Sequence, residues 1–294
     1  MAVHVGEYLG QCVNSSTEII PYKEGSPIPS CPFTHQECIK LRKKTNPTQP
    51  VCSVVSGEKL FPVCENRVLP SLSVSPSPKN KSILLGISKV LFPGASHQDL
   101  KYGTQSTIRF RAQGETKGPS SSIRTDYILV NDDKDYIGRT SCILEVQAGG
   151  ETSSTSALTQ HVLEWASMKH PTNEQLRQSV KQPGIIPNNA WKRTLEQVFR
   201  KAPLCRLHGG GFAIALGTIN FDYFTRFIRT SHDYYPEWEV ALVEMSDTWP
   251  SELDIEFRPG RAVFMSYSEL VDSVSEFPYS ESTPNPFLVP LHDF

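Results

Sequence analysis

Asp126, Glu145 and Gln147 are the residues whose types and spacing best suit chemistry. The first opens an apolar run, Asp126-Tyr127-Ile128-Leu129-Val130, which ends in a polar turn at Asn131-Asp132-Asp133-Lys134-Asp135. The other two close a second run, Ser141-Cys142-Ile143-Leu144-Glu145-Val146-Gln147. Two short apolar runs flanking Asn/Asp-rich turn chemistry predict a β-hairpin. Alternation then puts Glu145 and Gln147 on one face, and Cys142, Leu144 and Val146 on the other, toward the core. Folding the hairpin brings Asp126 back toward Glu145. Two carboxylates held together in a half-buried place repel unless a cation lies between them. A divalent metal is expected there, with Gln147 placed to touch whatever the metal activates. The competing reading is chance, because acidic residues at strand ends are common.

A second group with ligand chemistry lies upstream. Four of the seven cysteines cluster at Cys31, Cys38, Cys52 and Cys64, while Cys12, Cys142 and Cys205 are scattered. Disulfides are not expected, since the N-terminus lacks a basic region followed by an apolar run and so has no secretory character. Four clustered thiols then suggest a tetrahedral zinc or iron site stapling a segment too small and too Pro-rich to hold itself by burial. Their spacing is not the paired Cys-x-x-Cys of common zinc modules, and ordinary buried cysteines are the alternative. His35 could compete as a ligand. The basic run from Lys40 to Lys44 is either a solvated face or a phosphate contact.

These groups need elements to position them. A chain of 294 residues suggests one large or two modest domains, and 38% hydrophobic content supports a packed core. The 23 prolines point to many irregular connections. A net charge of -2 gives no global polyanion-binding signal, so any nucleic-acid contact must come from a local basic face. No apolar run approaches the roughly 18 residues of a membrane helix, and the chain reads as soluble and intracellular. Residues 1–70 form the expected cysteine module, the Ser/Pro-rich residues 69–82 a linker, and residues 83–294 a larger domain. In that domain residues 105–113 alternate as a strand. Helices are expected over Ala157–Met168, Asn173–Lys181, Ala190–Lys201 behind an Asn189 cap, and residues 220–230. Strands are expected over Trp238–Met245 and Arg261–Tyr267. The tail from Ser273 is Ser/Pro-rich, with an apolar Pro286–Leu291 stretch able to tack onto the core or a partner.

His208-Gly209-Gly210-Gly211 is similar to the oxyanion loop of esterases, but the chain has no Gly-x-Ser-x-Gly elbow. A glycine-rich turn is the plainer reading, and a DNA-groove contact through Arg206 and His208 a third. No phosphate loop of the Gly-x-x-x-x-Gly-Lys-Ser/Thr kind is present.

Cys31-Pro32-Phe33-Thr34, the later cysteines, and Asp126…Glu145-Val146-Gln147 together resemble the NotI/EagI family of type II restriction endonucleases. Motif support covers residues 30 to about 170. The resemblance implies an α/β fold: a PD-(D/E)xK-type nuclease core with a central mixed sheet flanked by helices, plus a small N-terminal module. It implies that Cys31, Cys38, Cys52 and Cys64 hold structural Fe or Zn. It implies that Asp126, Glu145 and the Val146 carbonyl ligate Mg2+, with Gln147 orienting the attacking water. Thr125 stands where many such nucleases have Pro, and Gln147 where most have Lys. The family further implies a bacterial, cytoplasmic homodimer of a restriction-modification system, cutting double-stranded DNA at GC-rich palindromes centred on CGGCCG. Guanine is read best by bidentate Arg, and Arg177, Arg193 and Arg206 are the candidates. Two other readings stay open: a non-catalytic nucleic-acid-binding protein built on the cysteine knuckle, and a structure-selective repair nuclease.

Overall fold

The hairpin expected from turn chemistry lies inside the larger of two sheets. A computed structural model of the chain describes residues 3–41, 49–57, 59–70, 77–110, 121–148, 155–180, 187–251 and 254–275. The smaller sheet is built from β1 (His4–Tyr8), β2 (Gln11–Cys12), β3 (Val51–Ser56) and β4 (Lys59–Pro62), in the order β2-β1-β3-β4. A short helix, α1 (Glu65–Val68), and a longer one, α2 (Pro78–Leu91), lead into the larger sheet. That sheet contains β5 (Leu100–Phe110), β6 (Ser121–Asn131) and β7 (Ser141–Gln147). Next come α3 (Thr155–Ser167), α4 (Asn173–Leu176), α5 (Pro187–Leu207), β8 (Gly211–Gly217), α6 (Thr218–Thr225), β9 (Val240–Ser251), β10 (Asp254–Met265) and α7 (Tyr267–Ser275).

The strands of the larger sheet lie in the order β10-β9-β8-β7-β6-β5. Strands β7, β8 and β9 are parallel, and the outer pairings are antiparallel. The fold is mixed α/β. A parallel centre needs helical crossovers, which cover both faces and leave the inner strands apolar throughout. Every residue of β8 is accordingly buried. One face packs on Leu84, Ile87 and Leu91 of α2, together with Leu144 and Val146 of β7. The opposite face joins Ile143 and Ile214 to Trp191, Val198 and Ala202 of α5 and to Phe221 and Phe224 of α6. The smaller sheet packs on α3, where Tyr8 meets Trp165 edge to face at 5.2 Å.

Several boundaries depart from the sequence expectations. The 69–82 segment is not linker to its end. Ser77 caps α2 by accepting a hydrogen bond from Asn80 N at 3.2 Å, and Pro78 occupies the first turn, where its missing N–H costs nothing. The Ser-Pro pair is thus a helix start, while residues 71–76 lie outside the described residues. Val55, Leu60 and Leu69 share one apolar core with α2 and the larger sheet, so the first 70 residues are not packed apart from the rest. Asn189 does not cap α5, which already begins at Pro187 and runs on to Leu207. The helix expected over Asn173–Lys181 ends at Leu176, because the chain turns away to bridge Val180 with Val3. The helix at 220–230 is displaced to Thr218–Thr225. Strands β9 and β10 are longer than expected, and Tyr267 belongs to α7. Residues 286–291, and residues 42–44 of the basic run from Lys40 to Lys44, fall outside the described residues.

His208–Gly211 is the turn from α5 into β8. Gly209 takes φ +72° as the helix ends, with Gly210 N donating to Cys205 O at 2.8 Å. A Cβ on Gly211 would collide with the Trp238 ring, so a side chain is excluded there by packing. The plainer reading of this motif accounts for its glycines.

Candidate active site

The β6–β7 ladder pairs Val130 with Ser141 through to Tyr127 with Leu144. The next pair in register is Asp126 and Glu145, and there side chains replace the backbone ladder. Val146 N donates to Asp126 Oδ2 at 3.0 Å, and Asp126 N donates to Glu145 Oε1 at 3.3 Å. The two carboxylates that the sequence separates by a turn are therefore interleaved with each other's backbone. Burial, with the Asp126 charge added, pushes the Glu145 carboxyl up to about 7, although an ion pair with Lys201 pulls the other way.

A cleft of about 190 Å³ opens over this pair, lined by Glu65, Asp126, Glu145, Gln147, Thr194 and Gln197 among others. Gln147 donates its Nε2 to the Ala148 carbonyl at 2.8 Å, so its Oε1 is the atom left to accept a hydrogen bond. Thr194 is 1% exposed, and its Oγ1 has no partner among the described residues. A buried hydroxyl without a partner calls for a ligand or water in the space it lines. Two carboxylates, a strand carbonyl and an orphaned hydroxyl form an all-oxygen donor set, which fits a hard divalent cation. No group of three or more His, Cys, Asp or Glu side chains able to hold a metal occurs among the described residues. A site using two carboxylates and a backbone carbonyl lies below that count by its nature.

Four residues here escaped the sequence reading in this role. Thr194, Gln197 and Lys201 come from α5 at helical spacing, and Glu65 from α1. Lys201 Nζ lies 2.7 Å from Glu145 Oε1, and the two residues are 5% and 9% exposed. A readable signal existed. Thr194, Val198, Lys201 and Cys205 follow the three- and four-residue steps of one buried stripe, and a lysine on such a stripe needs a partner.

Cys31, Cys38, Cys52 and Cys64 are all buried. They lie within electrostatic reach of one another. Burial raises the Cys64 thiol, and Cys31 and Cys38 raise it further; burial and then Cys64 raise Cys52. Backbone N–H groups of Gly10, Lys40, Leu41 and Asn66 hydrogen-bond the sulfurs of Cys52, Cys38 and Cys64. Lys40, its Nζ 2.6 Å from the Val51 carbonyl, adds a positive charge that pulls Cys38, Cys52 and Cys64 down against their burial. N–H donors of this kind orient thiolate ligands, although no three of these side chains form a group able to hold a metal among the described residues. His35 is exposed, at φ 57°, unlike the four buried thiols.

The three candidate arginines are not gathered at the cleft. Arg177 donates to Asn14 Oδ1 at 3.0 Å, beside the smaller sheet. Arg206 pairs with Glu239 at 2.7 Å and lies over the Tyr267 ring, contacts that belong to the molecule's own packing. Arg193 is exposed on α5, directly before Thr194 in the chain. Compared with known proteins, the chain matches no protein-family model, and no curated protein gives a significant match. No helix among the described residues is long and apolar enough to cross a membrane.

Proposed function

We propose that the chain is a Mg2+-dependent, sequence-specific endonuclease of double-stranded DNA, with a PD-(D/E)xK-type core and structural Fe or Zn on Cys31, Cys38, Cys52 and Cys64. The observation that carries this reading is the interleaving of Asp126 with Glu145 and Val146 at the edge of an open cleft. Asp126 and Glu145 would hold the cation, with the Val146 carbonyl beside them. Mg2+ there would polarise the scissile phosphate and lower the pKa of a bound water. Gln147 Oε1 would accept a hydrogen bond from an attacking water and orient it, but a neutral amide takes no proton. Thr194 lends its unpartnered hydroxyl to the same space. A homodimer would present two such clefts to a palindromic duplex, matching two-fold protein to two-fold site. Type II cutting at a GC-rich palindrome follows from the family resemblance, with Arg177, Arg193 and Arg206 the candidate base-reading arginines.

Plasmid cleavage tests the assignment. Asp126→Ala and Glu145→Ala should each abolish Mg2+-dependent cutting while DNA binding and thermal melting persist. Full cutting by either variant removes both residues from the site. Binding by the unmodified chain with no cutting under any divalent cation would favour a non-catalytic nucleic-acid-binding protein, and cutting confined to branched or damaged DNA a repair nuclease.

A further inference from the structure

The hairpin brings two acids and an amide to one end. The positive charge arrives from α5, where Lys201 Nζ meets Glu145 Oε1 at 2.7 Å in a nearly dry setting. That oxygen also accepts from Asp126 N at 3.3 Å. Both fixed donors therefore act on Oε1, while Oε2 has no hydrogen bond among the described residues. Lys201 itself does not line the cleft that Glu145 lines, so it stands behind the carboxylate rather than before it.

We propose that Lys201 is a positioning residue: it clamps Glu145 from behind through Oε1 and so presents Oε2 to a divalent cation beside Asp126. The inference rests on reading the cleft as a cation site. Outer-shell partners of this kind fix the orientation of metal-binding carboxylates. Without the clamp, Glu145 is a buried carboxylate lacking a counter-charge and has no single orientation to offer. The backbone of the same helix holds Thr194, so α5 acts as one rigid support for the rear and the side of the site.

The test is calorimetric titration of Ca2+ alone, without DNA, into the full-length chain and its variants. Lys201→Met should weaken Ca2+ binding roughly 10- to 100-fold, the usual effect of losing an outer-shell partner. Lys201→Arg should recover part of that loss. In a Glu145→Gln background, Lys201→Met should add no further loss, because the two residues act as one unit. With DNA and Mg2+, kcat should fall in Lys201→Met while the KM for DNA holds. Unchanged or tighter Ca2+ binding in Lys201→Met would overturn the proposal, and so would a loss that persists in the Glu145→Gln background. If Lys201→Met does not fold, Lys201→Gln retains a donor and should show an intermediate loss, with no loss again counting against the clamp. Failure of the nuclease reading looks different: the wild-type chain would bind Ca2+ through this pair yet cut no DNA.

Discussion

At the scale of single residues, Glu145 is held between opposing forces. Burial and the Asp126 carboxylate favour its neutral form; Lys201 and the Asp126 N–H favour the charged one. The balance leaves its carboxyl at about 7 in the folded protein. An unfolded chain titrates Glu near 4.3, roughly. The native state thus binds this proton more tightly than the unfolded state. The resulting stabilisation is present below about pH 4 and is lost as pH rises to about 7. In metal-free denaturant titrations, the stability of Glu145→Gln relative to wild type should therefore rise across that window by on the order of 1–3 kcal/mol, on top of a pH-independent loss from leaving Lys201 without its partner. Saturating Ca2+ should reverse the wild-type trend, because a cation binds the ionised form. A wild-type-to-variant difference independent of pH would show that Glu145 is not under this strain. The acid pair itself was readable from the sequence, since turn residues and alternation fix which side chains a hairpin brings together. Lys201 was missed, because a basic helical residue passes for a solvated one unless its place on the Thr194–Cys205 stripe is weighed.

At the scale of elements, α1 and the turn before it join the two sheets. Arg67 of α1 donates through Nε to both Glu7 oxygens, at 2.8 and 2.6 Å, and Ser53 Oγ donates to the same carboxylate at 2.8 Å. Its guanidinium lies over the Phe33 ring at 5.0 Å and the Phe257 ring at 4.9 Å. One side chain thereby ties the cysteine loop, the smaller sheet and β10 together. Removing one partner of a buried pair leaves the other charge uncompensated, so Arg67→Met should destabilise the chain by about 3–5 kcal/mol. The double variant Arg67→Met/Glu7→Leu should recover most of that loss in urea titrations. Equal instability of single and double variants would place the effect in ring packing instead. None of this junction was legible in the sequence. Strand β1 is buried along nearly its whole length, so it lacks the alternation that announces a strand. The Ser77-Pro78 start of α2 reads as linker because capping and linker composition use the same residues.

At the scale of the whole molecule, the cysteine segment and the cleft are adjacent in the chain and in space. Glu65, which lines the cleft, directly follows Cys64. The smaller sheet also shares its apolar cores with α3 and with the larger sheet. A metal on the four thiols would therefore support one wall of the site and not only its own loop. Elemental analysis of natively purified protein should find about one Fe or Zn per chain, since thiolate ligands select these metals. Stripping it with a chelator should lower both the melting temperature and DNA cutting. Metal-free protein with full stability would reduce the cysteines to ordinary core residues. In the sequence reading the α/β class rested on the family resemblance, although a hairpin followed by several helices and further strands suggests a sheet with crossovers. The central position of β8 was not legible: its short apolar run cannot be told from buried helix by periodicity alone.

The central claim is that Asp126, Glu145 and Gln147 form a Mg2+-dependent site for cutting duplex DNA. The most direct measurement is to incubate a long DNA of known sequence with the purified chain, in Mg2+ and in EDTA, and to sequence the ends. Ends at one recurring GC-rich palindrome are expected in Mg2+, and intact DNA in EDTA. Intact DNA in Mg2+ and Mn2+ alike, or ends scattered without a common sequence, would contradict it.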